Sequence, residues 1–374
     1  KDSASHFIFG FLGTHTGATK GAMPKRHEVR MRVTEARTER KRQGLPRHGG
    51  PLALMAEETL QIIRQHGYNS PHDGRWVDLR QALEQSIEGS SFHPERETVL
   101  APSENSAVPM RVVFEESTTF AAARRRCPQG QLRPSRVCAL NFASARHPGG
   151  GWRTGARAQE EDLARSSGLY PTLTRNMGMY GRSPPGLYTD RMIYSPAVPV
   201  FRDAQGALLH EPFLCDVISA AAVNLRGLKG KDAMYVEDTM RARALKVLSL
   251  AKQKGATCVV LGAWGTGVFS QDAYDVAGYF KEALEVIRFE EVVFAIPDRA
   301  KLGDFEEAFA ESHLPLVKDE AGGVAKIDGN IVVEAELEAK ESDVEADQAG
   351  AEVALQEGHG LQARPRRWGR AMGP

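Results

Sequence analysis

From residue 213 to residue 296 the chain alternates between two kinds of segment, and that alternation limits the folds open to it. "FLCDVIS", "TCVVLGA" and "EEVVFAI" are compact apolar runs bounded by polar residues or glycine. Runs of that length and composition read as strands buried on both faces. Between them lie "DAMYVEDTMRARALKVLSLAKQKG" and "DAYDVAGYFKEALEVIRF", whose apolar residues recur at helical spacing. Strand, helix, strand, helix, strand predicts a largely parallel sheet with helices on both faces. Upstream, "PLALMAEETLQIIRQHGY" reads as a helix ending at Gly67, and "STTFAAARRR" as a helix with a Ser/Thr cap. "RWVDL", "MRVVFEE", "RVCALNF" and "RMIYS" read as further strands. Residues 49–315 are therefore expected to form one α/β domain.

The flanks differ in composition. Residues 1–48, with "KRHEVRMRVTEARTERKRQ", are arginine-rich and lack apolar periodicity, which predicts a poorly ordered basic tail. A nuclear or organellar address is the sharper reading of that tail. Residues 316–374 turn acidic and low in aromatics, which predicts a disordered tail or an isolated helix. Over the whole chain 48 Lys and Arg balance 48 Asp and Glu, so net charge gives no argument for direct nucleic-acid binding. No apolar run is long enough to cross a bilayer. The four cysteines, Cys127, Cys138, Cys215 and Cys258, are widely spaced, three of them inside candidate strands. That usage predicts an intracellular, reducing compartment, cytoplasmic or nuclear. With no CxxC and no HxxxH, no metal site is expected.

In parallel sheets, ligands sit beyond the carboxyl ends of the strands. The loops after "RVCALNF" and "TCVVLGA" are both glycine-rich. The first carries Gly149, Gly150 and Gly151; the second, "GAWGTGVFSQD", carries Gly262, Gly265 and Gly267. Glycines at strand ends permit positive φ and close backbone approach, so their amides can converge on an anion or a sugar. Neither loop has the Gly-Lys-Ser/Thr of a P-loop, and "GAWGTG" lacks the dinucleotide spacing. After Gly151 and seven intervening residues come Gln159, Glu160 and Glu161. Adjacent residues on a helix point about 100° apart, so the two glutamates cannot flank one bond as paired glycosidase carboxylates do. One can face a ligand while the other holds something else. A pocket there would desolvate one carboxyl and raise its pKa toward a range useful for acid–base work.

A triple glycine followed at short range by Gln-Glu-Glu resembles the signature of the poly(ADP-ribose) glycohydrolases. The flanks "LNFASARHPGGG" and "QEEDLARSSGLYPTL", with "MIYSPAVPVFRD", "FLCDVISAAAVNL" and "LGAWGTGVFSQDAYDVAGYF", resemble the microbial-type branch. The likeness runs from about Leu52 to Phe309.

The resemblance implies a macrodomain-like fold, a mixed sheet between helices. It also implies a metal-independent, cofactor-free hydrolase that cuts the ribose–ribose O-glycosidic bond of poly(ADP-ribose) or of ADP-ribosylated proteins. By that likeness Glu161 is the catalytic glutamate, and Glu160 and Gln159 fix the distal ribose and the loop. Gly149, Gly150 and Gly151 form the turn over that ribose. The stretch Gly262, Gly265, Thr266, Gly267, Val268, Phe269 forms the diphosphate loop, with Phe269 pressing on the bound nucleotide and Asn141 contacting a ribose. The chain departs from the family pattern at Thr266, where Cys is common, and at Ala197 and Val223, where Asp and Pro are expected. A monomer is expected. The rival reading is a module that binds ADP-ribose without turnover, for which Gln-Glu-Glu has no chemical use. A third, an α/β hydrolase of another nucleotide, finds no nucleophile elbow around Ser195.

Overall fold

The alternation resolves into a nine-stranded sheet, ordered β10-β11-β4-β9-β8-β5-β7-β6-β3. The computed structural model describes residues 50–95, 110–128, 132, 135–310, 325–327 and 330–334. Strands β4 (Arg111–Glu115), β5 (Val137–Phe142), β7 (Leu208–Ala220), β8 (Cys258–Leu261) and β9 (Glu291–Ala295) form its parallel centre. Strands β3 (Ser91–His93) and β6 (Met192–Arg202) extend it antiparallel on one side. The reversal at β6 follows from chain length: a turn at Asp203–Ala207 joins it to β7, too short for a crossover.

Within each central strand, successive residues enter opposite cores. Val112 and Phe114 of β4 and Cys138 and Leu140 of β5 join one apolar cluster. Val113, Val137 and Ala139 join the other. Helices α6 (Val236–Gln253), α7 (Ala273–Val286) and α8 (Arg299–Ala310) supply the first cluster with Leu248, Phe280 and Phe305. Helices α3 (Thr119–Arg124), α4 (Gln159–Ser166) and α5 (Leu169–Arg175) supply the second with Phe120, Leu163 and Leu169. Both faces are covered, which is why the strands read as unbroken apolar runs rather than as alternation. The predicted mixed, largely parallel sheet between helices is the observed one.

Four details differ from the sequence reading. "RWVDL" does not join the main sheet: β2 (Trp76–Asp78) pairs with β1 (Gly67–Asn69) in a separate antiparallel ribbon. That ribbon follows helix α1 (Pro51–Gln65), which ends one residue early because His66 takes the left-handed cap at φ 60°. "RMIYS" is only the first half of β6, which continues through two prolines by means of a bulge between Ser195 and Val198. Ala197 sits in that bulge at φ 46°, its amide donating to Asp216 Oδ1 at 2.7 Å. Finally, a hairpin of β10 (Ala325–Ile327) and β11 (Asn330–Glu334) lies inside the segment read as an acidic tail, with β11 antiparallel to β4. The β-branched run Ile331-Val332-Val333 favours a strand over the charged sequence around it. The basic segment 1–48 lies outside the described residues.

Candidate active site

Strands β5, β8 and β9 run parallel and end along one edge, at Phe142, Leu261 and Ala295. Residues just beyond all three ends line a cleft of about 1000 Å³, joined by Thr118 and Thr119 beyond β4 and Ala222 beyond β7. Both glycine-rich loops and the Gln-Glu-Glu helix contribute to it, as the strand-end rule requires.

Helix α4 opens with Gln159, Glu160 and Glu161, and the three side chains diverge. Gln159 continues the end of β5: its Oε1 accepts from the Phe142 amide at 2.8 Å, and its Nε2 donates to Leu140 O at 2.7 Å and Thr119 Oγ1 at 3.0 Å. Glu160 turns inward and is 3% exposed. Its oxygens accept from the Ser144 amide at 2.7 Å and the Gly149 amide at 3.1 Å, so it pins the loop at both ends of its first turn. Glu161 faces the cleft. Its Oε1 accepts from the Gly151 amide at 2.9 Å, and its Oε2 carries no hydrogen bond among the described residues.

The triple glycine is required by this arrangement. Gly150 has φ 58°, and a Cβ there would fall against Glu161 Oε1 and lie 3.0 Å from Glu161 Cδ. A side chain at 150 would therefore occupy the Glu161 carboxyl's own place. The amides of Gly149 and Gly151 are spent on Glu160 and Glu161, and that of Gly150 on His147 O at 3.0 Å. The first loop thus has no free glycine amides to offer an anion.

The second loop differs. The amides of Gly265, Gly267, Val268 and Phe269 have no hydrogen-bond partner among the described residues. Gly265 sits at φ 82°. The loop is held in shape by Gln271 N to Gly265 O at 3.1 Å, Ser270 N to Gly267 O at 3.1 Å, and Leu225 N to Phe269 O at 2.9 Å. Thr266 Oγ1 donates to Ala263 O at 3.0 Å, so its side chain serves the turn and not the cleft. Phe269 stands 5.8 Å from Tyr188, ring centre to ring centre, and both line the cleft. Gly262 lies at the strand end behind the loop, where a Cβ would be 2.7 Å from Ala295 O. At Val223, the amide that a proline would lack reaches Met240 Sδ at 3.4 Å.

Asn141, read as a ribose contact, is instead fully buried. Its Nδ2 donates to Ser219 Oγ at 3.0 Å, its Oδ1 has no donor, and its side chain is in hydrogen-bond contact with the Glu160 carboxyl. Residue 141 precedes the strand's last residue and its side chain points into the sheet layer. Gly149 likewise lies behind the cleft wall, packed against Trp152 and Tyr170.

The carboxyl whose pKa is pushed up is Glu160's, to about 8. Burial is the main cause; the Ser144 and Gly149 amides oppose it and the neighbouring Glu161 charge adds to it. The Asn141 side chain also opposes it. Because the folded value lies above the ordinary 4.5, the folded state holds a proton that the unfolded state releases between pH 4.5 and 8. Glu160 therefore contributes a loss of stability as pH rises through that window. A glutamine at 160 accepts on one side only and sets an NH₂ against the other backbone N–H. Glu160→Gln should be destabilised by about 1–3 kcal/mol at pH 5, the price of one unpaired buried donor. The gap to the parent should narrow toward pH 8, as read by urea unfolding at both pH values.

Several lining residues carry no sequence signal of their own. Arg165 is 3% exposed, donates from Nη1 to Ala156 O at 2.8 Å, and lines the cleft one helical turn after Glu161. Its carbonyl accepts from Thr59 Oγ1 of α1 at 2.6 Å, tying α4 to α1. The i, i+4 spacing from Glu161 was visible in the sequence, but its burial was not.

The family model described as "Microbial-type PARG, catalytic domain" matches residues 56–203. The crystal structure of poly(ADP-ribose) glycohydrolase from Thermomonospora curvata is 38% identical, with a TM-score of 0.62, and the alignment covers 69% of this chain and 98% of that one. This chain belongs to the microbial-type poly(ADP-ribose) glycohydrolases. The same Thermomonospora curvata protein bound to the inhibitor ADP-HPD matches at 37% identity and TM-score 0.60, over 69% of this chain and 98% of that one. The Deinococcus radiodurans glycohydrolase in complex with ADP-ribose matches at 37% identity and TM-score 0.54, over 61% and 96%. No curated protein matches the chain at a significant level. As a member of this glycohydrolase family the chain has the Gln-Glu-Glu helix and both glycine-rich loops on one cleft. No described helix is long and apolar enough to cross a membrane.

Proposed function

We propose that the chain hydrolyses the ribose–ribose O-glycosidic bonds of poly(ADP-ribose), releasing ADP-ribose, with Glu161 as general acid and then general base. The observation that carries this role is the asymmetry of the Glu161 carboxyl, one oxygen anchored on the Gly151 amide and the other open to the cleft. In its protonated form the open oxygen donates to the departing ribose hydroxyl as the reacting sugar becomes an oxocarbenium ion. As carboxylate it then takes a proton from the incoming water, whose oxygen bonds to the anomeric carbon. General acid–base assistance of this kind contributes about 10²–10⁴-fold.

The remaining residues position. Free amides of the second loop point to the diphosphate as their ligand, since an anion satisfies several convergent N–H groups at once. Phe269 and Tyr188 offer apolar faces to the bound unit. Glu160, whose two oxygens are taken by the Ser144 and Gly149 amides, acts through the loop it holds and is a positioning residue.

The test is release of ADP-ribose from purified polymer. Release should persist in excess chelator, because the cleft offers no ligand cluster. Among the described residues one group of three candidate ligands lies close together, His72, Asp73 and His210, and none of them lines the cleft. Tight ADP-ribose binding without release would make the chain a reader. Loss of release on chelation, restored by Mg²⁺ or Zn²⁺, would overturn the metal-free mechanism.

A further inference from the structure

The loop between β5 and α4, residues 144–158, contains Arg146, His147, Arg153 and Arg157 and no acidic residue, in a chain whose charges otherwise balance. Arg146 and Arg157 are exposed, and both line the cleft beside Gly150, Gly151 and Glu161. Neither side chain makes a hydrogen bond or ion pair among the described residues. Other arginines are committed: Arg126 to Glu115 and Glu291, Arg202 to Glu58, Arg243 to Asp190. The buried Arg165 adds a third guanidinium to the same wall. Its pKa is pulled down first by burial; the Asp162 and Glu161 charges oppose that shift and the Arg157 charge adds to it. No acid pairs with Arg146 or Arg157 among the described residues. Glu160 is turned inward on backbone amides, Glu161 is held on the Gly151 amide, and the charges of Glu161 and Asp162 act on the buried Arg165.

We propose that Arg146 and Arg157 form a cationic rim that receives the polyanionic remainder of the substrate, the run of ADP-ribose units beyond the bond being cut. The proposal rests on the hydrolase reading above and adds a subsite to it. Its location follows from the chemistry. The leaving hydroxyl belongs to the next unit, so that unit must depart from the Glu161 end of the cleft, and both arginines lie on the loop that carries the Gly151 amide to Glu161. The unit inside the cleft already has its diphosphate ligands in the free amides of the second loop. What remains unmatched is a pair of exposed cations at the exit, and each further unit carries a diphosphate. Screened attraction between exposed cations and a polyanion raises encounter and affinity, and weakens steeply with salt.

The experiment compares the parent with R146Q/R157Q, and with R64Q/R80Q as a charge-matched control remote from the cleft. ADP-ribose release from long polymer is followed across a salt series, free ADP-ribose affinity is measured by calorimetry, and each protein is melted. In R146Q/R157Q, kcat/KM on polymer should fall about tenfold at low salt, mainly through KM, and converge on the parent as salt rises. Affinity for free ADP-ribose should stay within about twofold, with the melting temperature unchanged, and the control should match the parent. Equal turnover by parent and R146Q/R157Q at every salt concentration would overturn the rim. So would a parallel loss of ADP-ribose affinity, which would assign the arginines to the unit inside the pocket. A parent that releases no ADP-ribose would strike the hydrolase reading itself, and the rim with it.

Discussion

Glu161→Gln should reduce polymer hydrolysis by about 10²–10⁴-fold, the contribution of a positioned acid–base group. The substitution keeps shape and volume, and the glutamine Oε1 can still accept from the Gly151 amide that now holds the carboxyl at 2.9 Å. What it removes is the titratable proton on the side open to the cleft. Binding of ADP-ribose should therefore stay within about tenfold of the parent, or 1.4 kcal/mol. Single-turnover release from polymer and calorimetry with ADP-ribose read the two quantities separately. Near-parent turnover in this variant would remove Glu161 from the chemistry. Loss of binding in step with turnover would make it a binding group instead.

Gly265→Val should produce the opposite split, with binding lost first. The residue sits at φ 82°, where a β-branched side chain is strained, and its Cβ would lie 2.7 Å from Ala222 Cβ and 2.9 Å from Gln271 Cγ. Either the loop moves off Ala222 or Gln271 gives up its contact with Val223 O, now 2.7 Å. In both cases the free amides of residues 265, 267, 268 and 269 no longer converge. ADP-ribose affinity should fall by about 10²-fold or more, which is about 2.7 kcal/mol. Thr266→Cys is the matching control. It loses only the hydroxyl bond to Ala263 O, so ADP-ribose affinity should change by less than about threefold, with at most about 0.5–1.5 kcal/mol of stability lost. Calorimetry on the three proteins decides this, and equal tolerance of both substitutions would take the diphosphate role from the loop.

The parallel strands at the sheet's centre, the two long helices between the last three of them and the two loops that meet at the cleft were legible in the chain. Those features are written in local chemistry. Strands such as Val137–Phe142 and Cys258–Leu261 are buried on both faces, so they must be apolar throughout. The loops need positive φ at Gly149, Gly150 and Gly265, so glycine marks them. The ordered set of blocks, from the triple glycine and Gln-Glu-Glu to the second loop, points to the family.

What each polar group faces is settled only when the chain folds. Glu160 and Glu161 are adjacent and chemically identical, yet one is spent on Ser144 and Gly149 and the other opens on the cleft. Which is which depends on the rotation of α4 against the end of β5, set by Gln159 bonding to Phe142 and Leu140. Asn141 reads as a ligand contact and is a buried partner of Ser219 because strand alternation at a sheet edge turns its side chain inward. Arg165 looks like any helix-surface arginine until α1 closes over it through Thr59. The long course of β6 was hidden because a bulge absorbs what Pro196 and Ala197 would otherwise break. Local sequence specifies periodicity, burial and backbone conformation; the partner of a charge is specified by residues far along the chain, and only folding brings them together.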